Sequence, residues 1–133
     1  GPVVNTPSSP VIAEKPFVSV DPFGRFTLQI PKVQRGHTGT DFGTGRAVDF
    51  SEVFVAKEGD SAATINTHLQ HGLHVILSPG VYDLRQPLVI THPGQVLLGL
   101  GLATLVPILG TPAVCITAEG ARIAGLLLEA PLG

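Results

Sequence analysis

Leu88-Val-Ile-Thr-His-Pro-Gly-Gln-Val-Leu-Leu-Gly-Leu100 is answered further along the chain by Val114-Cys-Ile-Thr-Ala-Glu-Gly-Ala-Arg-Ile-Ala-Gly-Leu126. Ile90-Thr91 recurs as Ile116-Thr117, Gly94 as Gly120, and Gly99-Leu100 as Gly125-Leu126, always at an offset of 26. A self-match at this period is the signature of stacked coils, each burying its apolar side against the next. Around it lie short apolar runs, Val75-Ile-Leu77, Leu88-Val-Ile90, Val96-Leu-Leu98, Leu105-Val106, Val114-Cys-Ile116 and Ile123 to Leu128, divided by Gly, Pro or Thr. Runs this short read as strands, and no helix recurs within each unit. The pattern therefore predicts an all-β fold, a right-handed parallel β-helix, rather than a leucine-rich or ankyrin solenoid. A small β-sandwich is the alternative, because short strands and turns also build one.

The composition agrees with a packed rod. The 133 residues are 44% hydrophobic with a mean hydropathy of +0.37, enough apolar material for one core. Trp and Met are absent and Tyr occurs once, which leaves Val, Ile and Leu to fill the interior. Only 14% of residues are charged and the net charge is −2, so no electrostatic footprint for nucleic acid or an anionic membrane is present. No apolar stretch approaches the roughly 18 residues that a bilayer span requires. The single Cys115 sits in an apolar run and reads as a small buried hydrophobe.

Three segments follow. Gly1-Pro2 looks like a protease scar, and residues 3–16, with Pro7, Pro10 and Pro16, have the composition of an extended linker. Residues 17–50 hold a β-hairpin and a Gly-rich loop. Phe17-Val-Ser-Val20 and Arg25-Phe-Thr-Leu-Gln-Ile30 flank the turn signal Asp21-Pro-Phe-Gly24, and Pro31 to Ala47 shows no apolar period. Residues 51–133 begin with a short strand at Val53-Phe-Val55 and a helix over 62–71. Asp60-Ser61 caps that helix, Ile65, Leu69 and Leu73 line its inner side, and Gly72 ends it. A lone helix ahead of the coils is expected to cap the open end of the stack, covering core and strand edges.

Phe54-Val-Ala-Lys-Glu-Gly-Asp-Ser-Ala-Ala-Thr-Ile-Asn66, His74-Val-Ile-Leu-Ser-Pro-Gly-Val-Tyr-Asp-Leu84 and Val96-Leu-Leu-Gly-Leu-Gly-Leu-Ala-Thr-Leu-Val-Pro107 resemble the first coils of pectin-lyase-like right-handed β-helix proteins. The nearest likeness is to large secreted bacterial proteins often described as coagulation factor 5/8 type (discoidin) domain proteins. The resemblance implies a secreted, carbohydrate-active protein with polysaccharide as partner, a glycoside hydrolase or polysaccharide lyase when complete. Such relatives continue for further coils, so the chain is expected to be an N-terminal part whose lower end, at Leu126, Leu127 and Leu128, meets the remaining coils or a second chain. No catalytic motif carries over, the catalytic residues stay unknown, and the isolated chain is expected to be inactive. A non-catalytic glycan-binding or scaffold module is the other reading.

Site chemistry is thin. His68, His71 and His74 recur every third residue, as imidazole ligands of zinc or copper could, but Gly72 separates the third from the helix and no carboxylate or cysteine stands at ligand spacing. The bland reading is a polar face toward water, and no metal or other cofactor is expected. Gly99-Leu-Gly101 lacks the third glycine of a dinucleotide loop, and Gly43-Thr-Gly45-Arg46 lacks the ending of a phosphate loop. Glycoside hydrolysis needs two carboxyl groups about 5–9.5 Å apart. Asp41, Asp49, Asp83, Glu119 and Glu129 are the candidates, with capping or solvation as their ordinary roles.

Overall fold

The computed structural model describes residues 11–12, 14–32, 34–35 and 45–131. In chain order β1 (Val11–Ile12), β2 (Phe17–Val20), β3 (Phe26–Ile30), β4 (Gln34–Arg35) and β5 (Arg46–Asp49) come first, then a 3-10 turn at Phe50–Glu52. β6 (Val53–Ala56) and α1 (Ala62–Gln70), the one α-helix among the described residues, follow. β7 (His74–Leu77), β8 (Val81–Leu84) and β9 (Leu88–Ile90) make one circuit. β10 (Val96–Gly99), β11 (Thr104–Pro107) and β12 (Val114–Ile116) make the next, and β13 (Arg122–Ala124) and β14 (Leu127–Leu128) begin a third.

Each circuit adds one strand to each of three parallel sheets, ordered β13-β10-β7-β6, β14-β11-β8 and β12-β9. The offset of 26 is real: Ile116 lies beside Ile90 and Leu97 beside Ile123, and the Thr117 N–H donates to the Ile90 carbonyl at 2.9 Å. The earlier circuit is shorter. Val75 pairs with Leu97 at an offset of 22, and Val81 with Thr104 at 23. The extra length enters at residues 108–113, where the connection between β11 and β12 replaces the tighter 85–87 corner below it.

Two glycines explain a tight corner of the stack. Gly125 has φ +72, and a Cβ on either Gly99 or Gly125 would collide with the other's backbone oxygen. Gly125 therefore splits the expected run from Ile123 to Leu128 into β13 and β14. A strand not expected from the sequence also joins the second sheet. β8 alternates, with Tyr82 and Leu84 buried and Val81 and Asp83 exposed.

The inner core joins Ile65 and Leu69 of α1 to Val75, Leu77, Leu97 and Leu105 of the coils. A second core lies outside the first parallel sheet, where β2, β3 and β5 form an antiparallel sheet over it. Leu28, Ile30 and Val48 from that layer meet Ile76, Val96 and Leu98. β7 and β10 are thus buried on both faces, which is why they read as continuous apolar runs.

The hairpin at Asp21–Gly24 forms as expected, with the Asp21 carboxylate accepting from the Phe23 and Arg25 amides. The loop expected over Pro31 to Ala47 is corrected at its end. Arg46–Asp49 is a third antiparallel strand, with Leu28 beside Val48, and a strand with only one buried residue shows no period in sequence. The linker expected over 3–16 is corrected as well: Val11–Ile12 pairs with Gln34–Arg35. Of the expected linker and loop, residues 1–10, 13, 33 and 36–44 lie outside the described residues.

α1 begins at the Ser61 cap, whose hydroxyl accepts from the Thr64 N–H at 3.1 Å. It ends at Gln70, ahead of Gly72 at φ +85, which leaves Leu73 beyond the helix. The helix packs beside β9, in the place a preceding strand would take. Asn66, 6% exposed, completes the substitution. Its Oδ1 accepts from the Val89 N–H and its Nδ2 donates to the Pro87 carbonyl, both at 2.9 Å. One side-chain amide thereby satisfies two backbone groups on the edge of β9. At the other end of α1, Gln95 Nε2 donates to the carbonyls of Leu69 at 2.9 Å and Leu73 at 2.7 Å, closing the helix onto the next turn.

Candidate functional site

The edge of the second sheet is closed by a carboxylate. Glu58 Oε2 accepts from the Val81 N–H at 2.6 Å, the amide that opens β8. Gly80 is required beside it, since a Cβ there would stand 2.8 Å from the Glu58 side chain at a φ of +151. Asp60 closes its own loop by accepting from the Lys57 N–H at 3.0 Å. Beneath this loop Tyr82, 1% exposed, donates its hydroxyl to the Ser78 carbonyl at 2.6 Å. Burial first, then the Asp60 and Glu58 charges, pushes its phenol above the ordinary value, so it stays a neutral donor.

Between this loop, β8 and the 85–87 corner lies a cleft of about 660 Å³. Glu58, Asp60, Asp83, Arg85 and Gln86 supply its polar groups and Ile108 an apolar wall. Its size falls in the range of ligand clefts. Two of its carboxylates are engaged by backbone amides, while Asp83 stands exposed on β8.

Of the carboxylates expected to matter, only Asp83 lines this cleft. Asp49 caps the 3-10 turn, accepting from the Ser51 N–H at 2.8 Å, and the Ser51 hydroxyl first, then that amide, lowers its pKa. Glu119 is exposed in the turn before β13, and its backbone carbonyl accepts from Gly94. Glu129 is exposed beyond β14, and Asp41 lies outside the described residues. Sequence reasoning missed Glu58, whose signal was the Lys57-Glu-Gly-Asp60 turn, and its reading of Asp60 as part of the helix cap is corrected: Ser61 alone caps α1, and Asp60 closes the turn ahead of it.

The histidines do not converge. His68 is half-buried and stacks on Phe54 with ring centroids 3.7 Å apart, His71 is the exposed C-cap of α1, and His74 is 6% exposed at the start of β7. The water-facing reading is thus corrected for two of the three, because helix packing on β6 and the second core cover them. His74 Nδ1 accepts from the Val96 N–H at 3.0 Å, a bond that requires an unprotonated nitrogen. Burial first, then the Arg46 charge, lowers its pKa, with Glu52 opposing. Among the described residues no three His, Cys, Asp or Glu side chains gather as metal ligands. Cys115 is a half-buried free thiol on β12, paired in register with Val89.

Comparison with known proteins places this geometry. A family model described as the LAM55 pectate lyase-like domain matches residues 53–133, the coils and the helix that closes them. The chain belongs to this LAM55 family. The LAM55 chain is 35% identical, over 97% of its length, to a protein of Streptomyces sp. strain SirexAA-E named exo-beta-1,3-glucanase. It spans only 22% of that relative. Among solved structures it resembles sacteLam55A of the same organism, with a TM-score of 0.79 and 32% identity over 92% of this chain and 25% of that one. A variant of sacteLam55A in complex with glucose gives a TM-score of 0.81 and 36% identity over 90% of this chain and 22% of that one. The first of these relatives carries a glucanase name, and none of the three descriptions supports the coagulation factor 5/8 one. Among the described residues no helix of the LAM55 chain is long and apolar enough to cross a membrane.

Proposed function

We propose that this chain forms the first coils of a secreted, right-handed parallel β-helix glycoside hydrolase that acts on β-1,3-linked glucan. The observation that carries the reading is its 35% identity, across 97% of its length, to a protein named exo-beta-1,3-glucanase. Hydrolysis of a glycosidic bond calls for one carboxylic acid to protonate the leaving oxygen and one carboxylate to act as nucleophile or base. Among the described carboxylates Glu58 holds the edge of β8 and Asp49 and Asp60 close turns, while Asp83 stands exposed in the cleft and Glu119 and Glu129 lie exposed elsewhere. On this reading the acid pair is supplied by the coils that follow, and the segment's part is to close the stack at α1 and present a stable surface for them. A glycan-binding role for the segment itself is the second reading, favoured by the cleft at Asp83, Arg85 and Gln86.

The test is to incubate the 133-residue chain, and a full-length protein containing it, with laminarin, a β-1,4-glucan, xylan and pectin. Released sugar and retention on insoluble polymer are both measured. Glucose released from laminarin by the full-length protein alone is the expected result. Turnover by the isolated chain, or cleavage of pectin instead of laminarin, would overturn the reading. Retention without turnover by both would favour the binding module.

A further inference from the structure

The apolar layer between the antiparallel sheet and the first parallel sheet has a cationic rim. Arg122 on β13 is the register neighbour of Val96, and Ala124, two residues on, packs against the second core. Parallel neighbours and alternate residues share a face, so the Arg122 side chain enters that layer. Arg46 on β5 is the register neighbour of Ile30, which belongs to the same core, and stands exposed at the rim on the opposite side. Its Nη2 lies over Gly94, 3.6 Å from where a Cβ would stand. Lys15 Nζ is 3.2 Å from the corresponding point at Gly125, just past β13. His74, in the same strand column as Val96, is a further titratable group of the layer, its ring spent on the Val96 amide, and the exposed Glu52 is the acid whose charge reaches it.

Among the described residues no acid forms an ion pair with these cations. Among the described residues the ion pair is Arg25 with Asp21, at the far hairpin turn. Arg122 Nη1 is buried without a hydrogen-bond partner. An arginine cannot shed its proton to relieve this, and a buried guanidinium nitrogen without an acceptor is costly. Burial and the Arg46 charge both act against the charged form of Arg122, which a second cation can only worsen. What is missing is a planar anion able to accept from a guanidinium fork.

We infer that Arg122 and Arg46 form a carboxylate-binding site at the rim of the inter-sheet layer. The carboxylate comes either from a free acid in solution or from a side chain of the protein outside the 133 residues. The inference stands apart from the catalytic reading, since it concerns a different face and needs no glucan.

The test titrates the isotope-labelled chain with sodium acetate against sodium chloride at constant ionic strength, following the Arg122 Nε–H and Gly94 amide signals. A saturable shift is expected with acetate only, with half-saturation on the order of 10 mM. Arg122→Met should abolish it, and Arg46→Met should weaken it several-fold. Arg122→Met should also melt higher than the parent in chloride, because it removes an unpaired charge, whereas loss of an arginine with a structural partner would lower the melting temperature. In a longer LAM55 protein, loss of the acetate response together with a lowered melting temperature for Arg122→Met identifies a side-chain carboxylate. A response retained there identifies a free acid. Absence of any acetate-specific shift in the 133-residue chain, or a shift that survives Arg122→Met, overturns the inference.

Discussion

Asn66 offers the sharpest test of how a lone helix can end a stack of strands. Replacing it with alanine removes the acceptor for the Val89 N–H and the donor for the Pro87 carbonyl, and both backbone groups face the helix rather than water. Leaving a buried backbone group unsatisfied costs about 1–3 kcal/mol, and because both of these hydrogen bonds are only partly buried the pair should fall short of twice the maximum, at about 2–5 kcal/mol. For a domain of this size that is a fall in melting temperature of about 8–20 °C. Asn66→Asp sharpens the assay, since it keeps the acceptor but turns the donor toward Pro87 into a second acceptor unless protonated. Burial and the Pro87 carbonyl both raise the folded pKa of this new acid above its unfolded value of about 3.9. The folded state then holds the proton more tightly than the unfolded one. Asn66→Asp should accordingly stay close to the parent below about pH 4 and lose stability steadily as pH rises to 7. Thermal melts of both variants from pH 4 to pH 7, read by circular dichroism, decide the matter. An Asn66→Ala melting temperature within about 2 °C of the parent would refute the reasoning, as would a pH-independent Asn66→Asp.

Other expectations follow from the same coordinates. The neutral His74 ring accepts a backbone amide and its pKa is held below the reference 6.5, chiefly by burial, so its contribution is present above pH 6.5 and fades as pH falls toward the depressed folded value. Urea midpoints at pH 7 and pH 5 should show this loss in the parent and much less of it in His74→Asn, whose Oδ1 can accept without titrating. Gly99→Ala should destabilise by more than about 2 kcal/mol, because its Cβ meets the Gly125 backbone of the next coil. Gly24→Ala, at φ +82 with open space around it, should cost only about 1 kcal/mol, and chemical denaturation compares the two directly.

The stacking was legible where one coil repeats the next without a change in length, as Ile90-Thr91 and Ile116-Thr117 do. It was not legible one coil earlier. The 85–87 corner there is shorter than its counterpart at 108–113, the offset drops to 22 and 23, and the self-match disappears although the pairing persists. β8 was hidden for a different reason: Asp83 and Arg85 interrupt the apolar content, yet Val81-Tyr-Asp-Leu84 alternates cleanly between Pro79-Gly80 and Pro87. β5 carries one buried residue, Val48, too few for any period. The cleft could not be assembled from spacing, since Glu58 finds its amide partner at Val81, 23 residues on. Arg122 likewise looked like the polar boundary of an apolar run, when it is a strand residue whose face is set by Val96 in the coil before it.

The central claim is that successive turns of the chain lie one upon another as parallel strands. Scalar couplings across hydrogen bonds in the labelled chain test it most directly. They should connect the Thr117 amide nitrogen to the Ile90 carbonyl carbon and the Leu100 amide nitrogen to that of Leu77, two contacts of 2.9 Å that belong to different sheets. Couplings that instead pair these strands with antiparallel neighbours, or rapid hydrogen exchange at both amides with no coupling at either, would contradict the account.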